Sequence, residues 1–101
     1  MRRPELESSL EERCVQRVES FGGVALKLQI PGVRGFPDRT IMLPGGVIFF
    51  AEFKREKTGR VSTQQKRWFE RLRARGFAVY VIDDEGRFEY ILQETINAPE
   101  V

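Results

Sequence analysis

The chain has 101 residues, 41% of them hydrophobic and 32% charged, with a formal net charge of +2. That supplies one ordinary core, so a single domain over residues 1–101 is expected, and no apolar run is long enough to cross a bilayer. Histidine is absent, which excludes Ser/His/Asp hydrolysis, histidine-based general-base chemistry and mixed Cys/His zinc sites, so any metal must be held by oxygen, a preference of Mg²⁺ or Mn²⁺. The single cysteine, Cys14, cannot form an internal disulfide and falls among apolar neighbours, as a core residue would. The amino terminus is polar and acidic after two arginines, unlike a signal peptide, and a cytoplasmic protein is expected. Charge is unevenly spread: Lys54 to Arg75 holds nine basic and two acidic residues, a net +7 that leaves −5 elsewhere. Such a concentration suits a polyanion held at one face, although a solvated arginine-rich helix would read the same way.

In chain order, a first helix is expected from Ser8 or Ser9 to the Gly22-Gly23 stop, with Leu10, Cys14, Val15, Val18 and Phe21 as its apolar stripe. VALKLQI alternates Val24, Leu26, Leu28 and Ile30 with Ala25, Lys27 and Gln29, the pattern of a half-buried strand. After the glycine- and proline-punctuated loop PGVRGFP, RTIML and VIFFAEFK read as an antiparallel hairpin turned at Pro44-Gly45-Gly46. The charged loop REKTGR leads to a second helix over about Ser62 to Arg75, stopped by Gly76, and FAVYVI follows as a strand buried on both faces. A strand, crossover helix and strand make a parallel right-handed connection the default. Beyond Asp83, RFEYIL is compatible with an edge strand or a helical turn.

The apolar strand VIFFA runs directly into Glu52, Phe53 and Lys54. Alternation puts Glu52 and Lys54 on one face and turns Phe53 into the core, while Pro37 delivers Asp38 near the same end of the hairpin. Two carboxylates converging there make an oxygen site for a divalent cation, with a lysine beside it to orient or deprotonate a water. At about 100° per residue, Gln65 falls on the apolar side of the second helix and Gln64 does not; Glu11 faces inward on the first helix and Glu12 outward. Each piece also has a plain explanation: Pro37-Asp38 as a turn, Glu52 and Lys54 as a solvated strand end, Ser8 to Glu11 and Ser62 to Gln65 as capping boxes.

Together, Leu10-Glu11, Gly22-Gly23, Lys27, Gly35-Phe36-Pro37-Asp38, Glu52-Phe53-Lys54 and Ser62-Thr63-Gln64-Gln65 resemble the VRR-NUC family, the virus-type replication-repair nucleases of the PD-(D/E)xK superfamily. The resemblance spans roughly Ser8 to Ile82 and implies an α/β, restriction-endonuclease-like core: helix, three strands, helix, strand around a mixed sheet. It implies that Asp38, Glu52 and the Phe53 carbonyl hold Mg²⁺ or Mn²⁺ with Glu11 contributing from the helix, that Lys54 positions the attacking water, and that Gln65 supports it. A metal-dependent DNA endonuclease is expected, leaving a 5′-phosphate and a 3′-hydroxyl, acting as a homodimer on branched DNA such as Holliday junctions in a bacterial or phage-infected cell. A binding module of the same fold without turnover, or a nuclease acting on RNA or unbranched DNA, fits the same residues. Lys27, Arg55, Lys57, Arg60 and Lys66 are the expected nucleic-acid contacts. Phe36 stands where a smaller or β-branched residue is expected, a difference that suits packing.

Overall fold

A computed structural model of the chain describes residues 7–54 and 60–97. Four strands, β1 (Val24–Leu26), β2 (Arg39–Leu43), β3 (Val47–Phe53) and β4 (Ala78–Ile82), form one sheet in the order β1-β2-β3-β4. β1–β2 and β2–β3 pair antiparallel, and β3–β4 pair parallel, so the sheet is mixed. Helices α1 (Glu7–Ser20) and α3 (Glu85–Ile96) lie against one face, and α2 (Thr63–Ala74) lies against the other. The helix–three strands–helix–strand order of a restriction-endonuclease-like core is therefore present, and the segment after Asp83 is a helix. Asp84 caps that helix by accepting a hydrogen bond from the Arg87 N–H at 2.8 Å. Among the described residues, no helix is long and apolar enough to cross a membrane.

The sheet divides the interior in two. Leu10, Cys14 and Val18 of α1 pack with Phe88 and Leu92 of α3 on Ile41, Phe49, Ala51 and Phe53. Phe69 and Leu72 of α2 cover Phe50 and Val79 on the opposite side. Each β3 residue thus goes to the layer its alternation dictates. The first helix begins at Glu7, slightly ahead of the expected serine start.

Two expectations about strands are corrected. β1 is only three residues long, and it is Ala25 that packs toward the core, whereas Val24 and Leu26 are 46% and 39% exposed and Leu28 and Ile30 are exposed beyond the strand. The reason is placement of the helices. α1 packs against β1 on the Ala25 side, while α2 sits over the β3–β4 half of the other face. β4 is an edge strand and only partly enclosed, with Val79 and Ile82 buried and its other residues half-buried, so it is not sealed on both faces.

Candidate active site

The carboxyl ends of β3 and β4, the start of β2 and the amino end of α2 meet at one end of the sheet. The register Arg39↔Ala51 places Asp38 opposite Glu52, on the α2 side. Glu52 is 2% exposed, an unusual position for a carboxylate unless it is partnered. Its Oε1 accepts from the Asp38 backbone N–H at 3.1 Å, its Oε2 accepts from Gln65 Nε2 at 2.5 Å, and Lys54 Nζ lies 3.3 Å from Oε2. Asp38 answers in kind: its Oδ2 accepts from the Phe53 backbone N–H at 2.8 Å. The two strands are thus laced together by reciprocal carboxylate-to-amide bonds at the point where the carboxylates come side by side.

The electrostatics follow from that arrangement. Burial, with Asp38 alongside, pushes the Glu52 carboxyl up to about 7, opposed by Lys54. Among the described residues, the Lys54 ammonium stands beside the Glu52 carboxylate. A divalent cation fits this donor set: hard oxygens, no competing imidazole, and two carboxylates, the number on which Mg²⁺ is commonly held while keeping several waters. Asp38, Glu52 and the Phe53 carbonyl would hold it. Among the described residues, no group of three or more Asp, Glu or Cys side chains that could hold a metal occurs.

Gln65 carries two duties at once. Ser62 Oγ accepts from the Gln65 N–H at 3.1 Å, and Gln65 Oε1 accepts from the Ser62 N–H at 2.8 Å, a complete capping box. That pose leaves Nε2 directed at Glu52. The loop leading to Asp38 is held close by Gly35, whose φ is +85° and whose hypothetical Cβ would lie 2.6 Å from the Gln64 carbonyl carbon and 2.7 Å from the Gln65 nitrogen. Only a residue with no side chain can bring the Asp38 loop against the first turn of α2 in this way. Phe36 stacks edge-on against Phe50 and Trp68, at 5.6 and 5.3 Å between centroids, and is a packing residue.

Glu11 Oε2 accepts from Arg39 Nε at 2.5 Å, on the α1 side of the sheet, while Arg39 also donates to the Ala25 carbonyl at 2.9 Å. Glu12 is exposed and Glu11 is half-buried against Arg39, so helix phase separates the two glutamates correctly. Sequence reasoning did not single out Arg39, the first residue of β2, which directly follows Asp38. Of the expected nucleic-acid contacts, Lys27, Arg60 and Lys66 are exposed: Lys27 follows β1 at the Asp38 end, and Arg60 and Lys66 flank the α2 cap. Arg55 and Lys57 lie outside the described residues.

Comparison with known proteins identifies the family and the fold. The VRR-NUC domain model matches residues 6–84, most of the chain. The protein belongs to the VRR-NUC family. It is 40% identical over 79 residues to the protein named "Putative nuclease p44" of Acyrthosiphon pisum secondary endosymbiont phage 1, covering 78% of this chain and 84% of that one. A solved VRR-NUC domain structure superposes with a TM-score of 0.80 at 32% identity, covering 86% of this VRR-NUC chain and 94% of the other.

Proposed function

We propose that the protein is a nuclease, specifically a Mg²⁺- or Mn²⁺-dependent endonuclease that hydrolyses DNA phosphodiester bonds. The observation that carries this reading is the convergence of Asp38, Glu52, Lys54 and Gln65 in a VRR-NUC chain, with a buried carboxylate 3.3 Å from a lysine. When bound, the divalent cation supplies an activated water and neutralises charge on the scissile phosphate. Lys54 holds that water and offsets charge building on the phosphate, Gln65 fixes Glu52, and the products carry a 5′-phosphate and a 3′-hydroxyl. The presence of all four residues favours turnover over a binding module of the same fold.

The same reading takes the active species as a homodimer on branched DNA, because one site cuts one strand. Support comes from an apolar row across the open half of the α2 face: Val24, Met42 and Ile48 are cross-strand neighbours and exposed, with Leu26 and Phe77 exposed beside them. An uncharged row ending at an unpaired edge strand suits a second copy of the chain better than a polyanion. The test is a cleavage panel of linear, nicked, flap and four-way DNA with Mg²⁺, Mn²⁺ or EDTA. Metal-dependent cutting favouring the four-way substrate is expected. Cleavage by Asp38→Asn at the wild-type rate would remove the site, and equal cutting of linear DNA would remove the preference for branches.

A further inference from the structure

The segment between β1 and β2 is fixed at both ends beside the candidate site and is open in between. At its start, Leu26 pairs with Thr40, which stands two residues beyond Asp38. At its end, Gly35 lies against the backbone of Gln64 and of Gln65, whose side-chain amide donates to Glu52. Residues 27–32 and Arg34 are exposed, Leu28 and Ile30 by 40% and 41%. The tip is nonetheless preformed. The Val33 N–H donates to the Ile30 carbonyl at 3.0 Å, and between them stand Pro31 and Gly32, the latter at φ +79°, the residues a type II turn requires. A preformed tip carries less ordering cost on binding. Charge along the segment is of one sign: no acidic residue occurs between Ser20 and Pro37, while Lys27 and Arg34 bracket the two aliphatics.

We infer that this loop is a wedge that senses broken base stacking in DNA: Leu28 and Ile30 pack on base faces left open at a branch point, and Lys27 and Arg34 hold the phosphates on either side. This rests on the nuclease reading above and gives its preference for branched substrates a physical cause. Apolar side chains insert between bases at less cost where stacking is already lost than in an intact duplex, and neighbouring cations neutralise the flanking backbone. A second copy of the chain is the poorer occupant. The row over Val24, Met42 and Ile48 is uncharged, whereas this loop carries two cations and no acid, a charge complementary to phosphates. Its two ends also flank the residues that would cut the strand, so whatever the wedge engages is held next to them.

The full-length chain is compared as wild type, Leu28→Ser/Ile30→Ser and Lys27→Ala/Arg34→Ala. Four-way and linear DNA of matched length carry a fluorescent adenine analogue that brightens when unstacked, placed beside the branch point or at the linear midpoint. Binding and fluorescence are read in EDTA, cleavage in Mn²⁺, and oligomeric state by sedimentation. Wild type should brighten the four-way probe more than the linear one. Leu28→Ser/Ile30→Ser should abolish that rise, lower the four-way-over-linear ratio of kcat/KM by about tenfold, and leave the dependence of log K on log salt unchanged. Lys27→Ala/Arg34→Ala should flatten that dependence by about two units and keep the preference. All four side chains are exposed, so both variants should unfold at the wild-type temperature. An unchanged rise and ratio in the serine variant would overturn the inference. So would a monomeric serine variant of a dimeric wild type, which would assign the loop to an interface between copies. The metal-free readings keep this inference apart from the nuclease reading. A wild type that brightens the four-way probe but cuts nothing in Mn²⁺ retains the wedge and loses the nuclease, and one that cuts with metal but brightens neither probe loses only the wedge.

Discussion

Glu52 is the residue at which folding and the proposed function conflict most directly. Its carboxyl is raised from an ordinary value near 4.5 to about 7, mainly by burial. A carboxyl raised in the folded state contributes stability that is fully present below the unfolded value and is lost as pH rises through the folded one. The metal-free protein should therefore lose stability between about pH 4.5 and 7, by on the order of 3 kcal/mol at pH 8 if Glu52 acted alone. Glu52→Gln should abolish cleavage while removing this penalty. In EDTA its unfolding temperature is expected to exceed that of wild type increasingly from pH 5 to pH 8, and Mn²⁺ should stabilise wild type only. A constant gap across that pH range would mean that Glu52 is not the titrating group. Cys14 is a contrasting case: burial and nearby glutamates raise its thiol to about 12. It should resist a disulfide reagent at pH 8 in the native protein and react only as fast as the chain unfolds; fast labelling without unfolding would show that α1 is not packed as described.

At the scale of elements, the α2 cap offers a clean separation of stability from activity. Ser62→Ala and Asp84→Ala each remove a helix cap, at a cost of about 1 kcal/mol. Only the first loosens a helix start that directs Gln65 at Glu52. Both variants should show similar shifts in urea unfolding, but Ser62→Ala alone should lose kcat, by about tenfold. Equal kcat in the two would show that Gln65 is aimed by something other than its capping box. Gly35→Ala is the harsher change, combining positive φ with a Cβ driven into the backbone of Gln64 and Gln65. A loss of about 2–4 kcal/mol is expected. Chemical denaturation would measure it, and a loss below about 1 kcal/mol would mean that the loop can withdraw from α2.

For the molecule as a whole, the two open surfaces make different demands. Lys27, Arg60 and Lys66 stand exposed around the site end of the sheet, and each is expected to neutralise one phosphate. Replacing all three with alanine should weaken every DNA substrate and flatten the dependence of log K on log salt by about one unit for each phosphate no longer neutralised. An unchanged slope would move the DNA to another face, such as the arginines along α2. The apolar row carries the dimer in the proposed reading, so Met42→Lys should sediment as a monomer and lose selectivity for four-way DNA while keeping its fold by circular dichroism. A variant that remained dimeric would put the interface elsewhere.

Much of this protein is determined locally and is therefore legible in its sequence. The hairpin over RTIML and VIFFAEF, its turn at Gly45-Gly46, the parallel return to β4 and the capping box of α2 all depend on neighbours a few residues apart or on the short connections between elements. The pairing of Glu52 with Asp38 and Gln65 belongs to the same class, because alternation and helix phase fix the faces of all three. What only the tertiary structure decided depends on which helix covers which part of the sheet. VALKLQI carries its apolar residues on alternate positions, yet α2 does not reach over β1, so Ala25 is enclosed and Val24 and Leu26 are not. The segment after Asp83 is helical because its apolar residues, Phe88, Ile91 and Leu92, have α1 and the sheet to pack against, a contact invisible from its own short pattern. Glu11 faces inward as its phase requires, but phase gives only a direction. The partner waiting there is set by the strand that passes beneath the helix, and that strand presents Arg39.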